Sequence, residues 1–89
     1  MIHQRSRLAI MATLAGVESL DFNELKAELG LTDGNLSTHL AALERAGYAR
    51  INKSFKGRKP LTAVEMTAKG RKALTRYVRT LQQILDKAK

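Results

Sequence analysis

One helical segment of this sequence carries side chains that could contact a nucleic acid. Between Asp33 and Ala46 leucines recur at helical spacing, and at about 100° per residue they mark one side of a helix. The opposite side carries Gly34, Ser37, Thr38, Ala41 and Arg45. Glycine and alanine let a helix approach closely, hydroxyls donate or accept hydrogen bonds, and arginine can reach a phosphate or a guanine edge. This face predicts insertion into a DNA major groove, although a solvated face would show the same pattern.

Polar residues at the start and on the flank of this helix extend the candidate site. Thr32 is predicted to cap the helix and, at its positive N-terminus, to contact a phosphate. Asn35 is predicted to contact DNA, and His39 lies one turn further along the same flank. Because His3 is the only other histidine, we expect His39 to pack or to touch a phosphate rather than to bind metal. No metal site and no cofactor are predicted.

A basic hairpin follows the helix. Its cations are Arg50, Lys53, Lys56, Arg58 and Lys59, and no acid lies between them. A hairpin beside a DNA minor groove needs such a density of positive charge, whereas a solvated loop rarely does. Arg58, near the tip, is predicted to enter the minor groove, and the other cations are predicted to hold phosphates. Phe55 is expected to pack against the fold rather than to stack on a base.

The charge distribution also indicates a polyanionic partner. The net charge is +8, but the two halves of the chain differ in sign. Residues 1–44 hold three bases and six acids (net −3), whereas residues 45–89 hold thirteen bases and two acids (net +11). Such a split suggests a basic face presented to nucleic acid, although basic surfaces also meet anionic membranes.

Composition argues against several other functions. The absence of cysteine excludes a disulfide framework and a thiol-based sensor, and it fits a reducing cytosol. We find no phosphate-binding loop, metal cluster, Ser–His–Asp set or carboxylate pair, so we predict that the protein is not an enzyme. The basic N-terminus and the apolar run after it imitate a signal peptide. The run is too short to span a bilayer and fits an amphipathic helix, so a cytoplasmic protein is expected.

Two helices are predicted to precede the candidate DNA-contacting helix. The first runs from about His3 to Ala15 and ends at Gly16. Its apolar stripe is Leu8, Met11, Leu14 and Ala15. After a short extended stretch at Ser19–Phe22, Asp21 caps a second helix that runs to about Leu29. The stripe of that helix is Phe22, Leu25 and Leu29.

A third helix, two strands and a last helix complete the predicted order of secondary-structure elements. The third helix spans Asp33–Ala46 and buries Leu36, Leu40 and Leu43. Strands are predicted at Tyr48–Lys53 and Leu61–Met66, joined by a polar loop at Ser54–Pro60. A long last helix begins near Thr67. The order predicts a mainly α (α+β) fold, a winged helix-turn-helix with a two-stranded wing, as a single domain over residues 1–89.

Several short motifs in the same order resemble a known group. Three of them resemble the recognition helix of MarR-like and ArsR-like winged-helix repressors and the strand that follows it. These motifs are Leu31–Leu40, Leu43–Glu44 and Ala46–Tyr48. Two further motifs resemble the wing and the next helix of the short stand-alone proteins of this group. They are Lys53–Pro60 and Met66–Arg71. The resemblance covers roughly residues 20–77, and it implies a DNA-binding transcription factor that works as a two-fold dimer.

The sequence also differs from parts of that group. It lacks the extra helices of full-length MarR-like proteins and the cysteine and clustered histidine ligands of metal-sensing ArsR-like ones. The resemblance therefore carries no prediction of an effector pocket or a metal switch. We predict a sequence-specific, double-stranded DNA-binding transcriptional regulator that acts as a repressor. The alternative is a winged-helix protein-interaction or RNA-binding module within a transcription complex.

The last helix carries an apolar seam at 4-3-4 spacing, Leu74, Val78, Leu81 and Leu85. The helix is long for a core of this size, so the seam is predicted to form a homodimer interface, to which Leu8 and Met11 contribute. Packing of the seam on the first helix of the same chain is the alternative. The same helix carries bases that either extend the positive face of the molecule or form the solvated side of the helix. These bases are Lys69, Arg71, Lys72, Arg76 and Arg79.

Overall fold

The computed structural model describes residues 5–88 and shows four helices and one sheet in that range. The helices are Arg5–Ala15 (α1), Phe22–Leu29 (α2), Asp33–Arg45 (α3) and Ala68–Lys87 (α4). The strands are Leu20–Asp21 (β1), Ala49–Lys56 (β2) and Lys59–Met66 (β3), paired antiparallel in the order β1-β3-β2. This confirms the predicted winged helix-turn-helix fold, and β1 adds a third strand to it. The predicted start of the first helix at His3 lies outside the described residues.

Side-chain caps fix the starts of α2 and α3 as predicted. The carboxylate of Asp21 accepts a hydrogen bond from the backbone N–H of Asn23 at 3.1 Å. The hydroxyl of Thr32 accepts one from the backbone N–H of Asn35, also at 3.1 Å. Each cap satisfies a helix-start N–H that has no partner within its own helix. The start of α3 is therefore set by local chemistry.

The end of α3 and the start of α4 are built against each other. Gly47 adopts φ 79°, and the N–H of Tyr48 reaches the carbonyl of Leu43 at 2.9 Å, which closes a Schellman motif. The hydroxyl of Thr67 donates to the carbonyl of Gly47 and accepts from the N–H of Gly70 at 3.0 Å. A Cβ atom at Gly70 would overlap the carbonyl oxygen of Tyr48. Only glycine therefore lets α4 dock at this corner.

The core lies where α1 contacts α2, α3, α4 and the sheet. Its buried members are Ile10, Met11, Leu14, Leu25, Leu36, Leu40, Leu43, Ala49, Val64 and Leu74. The predicted core leucines of α3 are confirmed, and so is Leu25. In α1 the prediction missed Ile10, whereas Leu8 and Ala15 are only partly buried. Because α1 packs against several elements, its buried arc is wider than one stripe.

The predicted loop at Ser54–Pro60 is wrong, because most of it is strand. β2 continues to Lys56 and β3 begins at Lys59, so only Gly57 and Arg58 form the turn. Gly57 has φ 65° and Arg58 a negative φ, as in a type II′ hairpin turn. Backbone pairing between the strands supports this ribbon even though its outer part is exposed on both faces. A polar sequence pattern shows exposure but cannot show such pairing.

Candidate nucleic-acid interface

The predicted DNA-contacting face of α3 is open to solvent along its length. All seven residues predicted to contact DNA from this segment are exposed, namely Thr32, Gly34, Asn35, Ser37, Thr38, Ala41 and Arg45. The core leucines hold the opposite side of α3. Nothing lies within 4 Å of the place where a Cβ at Gly34 would stand, so this part of the helix is free to approach a partner closely. Contact of these residues with DNA stays a prediction.

An acid at the start of α3 is neutralised by a base on α2. Asp33 lies in the first helical turn, where its negative charge would face a phosphate bound at the helix N-terminus. Lys26 Nζ lies 2.6 Å from Asp33 Oδ1, and the Asp33 side chain remains 74% exposed. The pair leaves the helix start without a net repulsive charge. Helical periodicity does not reveal this pair, because its members are seven residues apart on different helices.

A groove separates α3 from the ribbon formed by β2 and β3. It has a volume of about 360 Å³. Its lining comprises Phe22, Ser37, Leu40, Ala41, Glu44, Ile51, Lys53 and Thr62. Three of the predicted DNA contacts, Ser37, Ala41 and Lys53, meet across this groove. Glu44 and Thr62 were not predicted as site residues. Glu44 lies on α3 itself, and Thr62 stands opposite Lys53 in the sheet, whose strand β2 contacts α3.

The ribbon, from here on called the wing (residues 49–66), presents two different faces. Register places Ile51, Lys53 and Phe55 on the face that lines the groove, and Asn52, Ser54 and Lys56 on the other. Lys56 stands directly opposite Lys59, next to the turn that carries Arg58. All of the predicted phosphate-binding lysines of the wing and Arg58 are exposed. They make no salt bridge within residues 5–88.

Two residues of the hairpin behave differently from their predicted roles. Arg50 was predicted to hold a phosphate, but its Nη1 lies 2.7 Å from Glu65 Oε1 on the neighbouring strand. This pairing weakens the case for Arg50 as a phosphate contact. The expectation that Phe55 packs against the fold is wrong, because its side chain is 74% exposed. β2 carries Phe55 beyond the end of the core.

His39 lies on α3 beside Arg7 of α1 and is partly buried, as expected for a histidine at a boundary. Its Nδ1 accepts a hydrogen bond from Arg7 Nε at 3.2 Å. Within residues 5–88 no three His, Cys, Asp or Glu side chains are close enough together to hold a metal ion. None of the helices in this range has the length and apolar character needed to cross a membrane.

The apolar seam of α4 is covered only near the start of the helix. Leu74 is buried, whereas Val78, Leu81 and Leu85 are 52%, 41% and 51% exposed. Ile84, which the spacing did not single out, is exposed beside them. Within the described chain α1 therefore covers the first turns of the seam and leaves the rest open. Met11 was predicted to join an interface here, but it lies fully buried in its own core and is not available to a partner.

Two bases of α4 contact the rest of the fold. Arg71 Nη1 donates to the carbonyl of Ala15 at the end of α1, at 3.2 Å. Lys69 Nζ stands 5.7 Å from the centre of the Tyr48 ring, within range of a cation–π contact. The other bases of α4 are exposed. The sequence alone left open whether this side of α4 contacts DNA. In the structure the contacts of Arg71 and Lys69 connect α4 to the rest of the fold.

Comparison with known proteins places this chain in a family. The family model described as a winged helix DNA-binding domain matches residues 6–85. An uncharacterized protein from Methanocaldococcus jannaschii is 41% identical over 78 residues, which cover 88% of this chain and 85% of that protein.

Solved structures agree with this match. The structure of a transcriptional regulator homologue from Pyrococcus horikoshii superposes with a TM-score of 0.93 at 32% identity, covering 98% of this chain and 86% of the other. The Mycobacterium tuberculosis transcriptional regulator MosR, solved in complex with DNA, shares the fold with a TM-score of 0.76 at 24% identity, over 94% of this chain and 59% of MosR. On the strength of the family match, this chain belongs to the winged helix DNA-binding domain family.

Proposed function

We propose that this protein is a sequence-specific, double-stranded DNA-binding transcriptional regulator that works as a homodimer. The observation that best supports the proposal is that two surfaces suited to DNA lie side by side. An exposed, small-residue face of α3 lies beside a wing with four cations that make no salt bridge within residues 5–88. A major-groove helix with an adjacent minor-groove wing is the way in which winged helix-turn-helix proteins dock on DNA.

In this proposal α3 reads bases. Gly34 and Ala41 allow the helix to sit deep in the major groove, and Ser37 and Thr38 donate or accept hydrogen bonds at base edges. Asn35 and Arg45 contact base edges or phosphates from the two ends of the helix. Thr32 contacts a phosphate at the helix N-terminus, where the backbone N–H groups converge. The neutralised Asp33 supports this contact, since the Lys26 ammonium group lies against its carboxylate.

The wing supplies affinity and a second groove contact. Lys53, Lys56 and Lys59 neutralise phosphates, and Arg58 enters the minor groove from the tip of the turn. Lys56 and Lys59 stand opposite each other, and such like-charge pairs weaken a strand pairing by a few tenths of a kcal/mol or more. A bound polyanion would remove that cost. The wing is therefore better suited to a phosphate backbone than to free solvent.

The open part of the α4 seam supports the homodimer. Val78, Leu81, Ile84 and Leu85 form an exposed apolar strip at the far end of the molecule. A second copy related by a two-fold axis would bury the strip and present two α3 helices to DNA. Leu8, which is partly buried on α1, stays in the proposed interface. Met11 and Leu74 do not, because both are buried in the core of their own chain.

Repression is part of the proposal because the recognition-helix and wing motifs resemble those of MarR-like and ArsR-like repressors. A dimer bound over a promoter would block access by RNA polymerase.

A DNA target also implies that the protein works in the compartment that holds DNA, which in a cell without a nucleus is the cytoplasm.

Footprinting of the purified protein across random genomic fragments tests the proposal. We expect protected two-fold sites whose half-sites lie about 10 base pairs apart or a multiple of that. Transcription in vitro from a promoter that contains such a site should fall when the protein is added. Uniform weak protection without a preferred site would contradict sequence-specific regulation. Preference for an RNA duplex over a DNA duplex would favour the RNA-binding role. Binding to neither duplex would favour the protein-interaction role.

A further inference from the structure

The wing holds an exposed aromatic residue that the fold does not use. Phe55 is 74% exposed and stands opposite Pro60, which is also exposed. The last cross-strand pair that packs on the core is Ile51 with Val64, further back along the ribbon. Pro60 falls at a non-hydrogen-bonded position of the ladder, so this apolar pair costs the ribbon no backbone bond.

Phe55 lies on the side of the wing that faces the proposed DNA. Alternate residues of a strand share a face, and Ile51 and Lys53 line the groove together with Ser37 of α3. Phe55 is the next residue on that face. It therefore continues the groove-lining surface beyond α3 towards the tip of the wing.

The charges around Phe55 define the chemistry of its partner. Lys53 shares its face of the wing, Lys56, Arg58 and Lys59 follow it within four positions, and no acid occurs between residues 45 and 64. A second copy of this ribbon would bring like charges together, so it would be repelled. A polyanion would be attracted, and the aromatic ring could then be covered by the apolar part of that polyanion.

The distance from the tip selects which part of DNA meets the ring. The pair Phe55–Pro60 lies roughly 7 Å behind the tip at strand spacing, and a minor groove is about 7.5 Å deep. With Arg58 at the floor of the groove, as in the proposed function on which this inference rests, the pair reaches the rim, where sugars form the walls.

We propose that Phe55 and Pro60 form an apolar contact site for deoxyribose at the rim of the minor groove. The site makes the wing selective for DNA over RNA. In RNA each sugar carries a polar 2′-hydroxyl, and the A-form minor groove is wide and shallow, so the ring would find no matching wall. Phe55 thus adds an apolar contact to the electrostatic ones made by the surrounding cations.

Salt-dependent binding to a DNA duplex and to an RNA duplex of the same sequence tests this site. The wild type is compared with Phe55→Ala, Phe55→Leu and Arg58→Ala. We expect Phe55→Ala to weaken DNA binding about tenfold through lost apolar burial. The slope of log affinity against log salt should not change, because no phosphate contact is lost. Phe55→Leu should retain most of the affinity, and Phe55→Ala should bind RNA as the wild type does.

Other outcomes overturn the inference in distinguishable ways. If Phe55→Ala binds DNA like the wild type while Arg58→Ala is weakened, the sugar contact is absent but the proposed function stands. Equal losses on DNA and RNA would remove the selectivity. A change in sedimentation mass or melting temperature for Phe55→Ala would mean that protein covers the ring. A wild type that binds neither duplex would instead overturn the proposed function itself.

Discussion

Single side chains divide the proposed DNA contact into base reading by α3 and charge neutralisation by the wing. Thr38 is exposed on α3, next to the small residues Gly34 and Ala41 that allow close approach. Arg58 is exposed at the tip of the wing, without an acid partner within residues 5–88. Hydrogen bonds to base edges depend on sequence, whereas contacts to phosphates do not. Substitutions at these two positions should therefore affect binding in different ways.

Thr38→Ala should lower specificity more than affinity. If Thr38 contacts a base edge, its loss costs about 1–3 kcal/mol at a preferred site and almost nothing on random DNA. Competition titrations with both DNAs measure the difference. Thr80→Ala on α4, also exposed, is the matched control and should change neither value. Equal losses on the two DNAs would mean that Thr38 supports the helix or a phosphate contact only.

Arg58→Ala should change the salt dependence of binding. Loss of one phosphate-like contact reduces the slope of log affinity against log salt by about 0.9. Lys87→Ala removes the same unit charge from the far end of α4 and should leave the slope as it is in the wild type. Titrations over a series of salt concentrations give both slopes. An unchanged slope in Arg58→Ala, with binding intact, would remove the tip of the wing from the mechanism.

At the scale of elements, the site depends on how the corner of α3, β2 and α4 is built. Thr67 and Gly70 connect α4 to the backbone of Gly47 and Tyr48. This corner fixes where the wing leaves α3, and so it sets the width of the groove between them. A disturbance at the corner would loosen the docking of α4 without touching the DNA-facing residues.

Gly70→Ala should therefore destabilise the fold. A Cβ would overlap the carbonyl oxygen of Tyr48, a backbone atom that cannot swing aside, and overpacking of this kind costs about 1–3 kcal/mol. Gly34→Ala is the matched control, because it places the same methyl group in open space on another helix. It should be neutral or stabilising by up to about 1 kcal/mol. Denaturant unfolding measures both free energies, and a Gly70→Ala variant as stable as the wild type would contradict the described docking.

The molecule as a whole is elongated, with principal extents of 54 × 25 × 21 Å. α4 accounts for much of this length, because a helix of 20 residues spans about 30 Å. Within residues 5–88 only its first turns are buried in the core, and its exposed apolar strip lies beyond them. A helix that leaves its own domain with an apolar strip is well placed to pair with a second copy.

Leu81→Glu should convert a dimer into a largely monomeric protein. Leu81 is 41% exposed in the single chain and lies in the middle of the strip, so a dimer would desolvate a glutamate there at a cost of several kcal/mol. Binding to a two-fold site should weaken, while non-specific binding at low salt should persist. Sedimentation gives the mass of wild type and variant.

Gln83→Glu adds the same charge on the other side of α4, and it should leave the dimer intact. A monomeric wild type would contradict the dimer. A Leu81→Glu variant that unfolds, as judged by circular dichroism, would show that the strip packs within its own chain.

Local patterns in the sequence determined the helices, their caps and the composition of the site. The leucine spacing of α3 predicted both its buried side and its opposite, exposed face. Asp21 and Thr32 marked the starts of α2 and α3, because a cap acts on N–H groups two or three residues away. The excess of bases after residue 44 indicated a polyanionic partner. All of these depend on residues that are close together in the chain.

Only the tertiary structure decided what distant residues do to each other. Cross-strand register extended the wing to Lys56, paired Arg50 with Glu65 and left Phe55 exposed. Packing of α1 against four neighbours buried Met11, which single-helix periodicity had assigned to an interface. The close approach of Gly70 to Tyr48 likewise joins residues that are 22 positions apart. Periodicity describes one element at a time, whereas burial and pairing depend on which elements meet, and that is set by the packing of the whole chain.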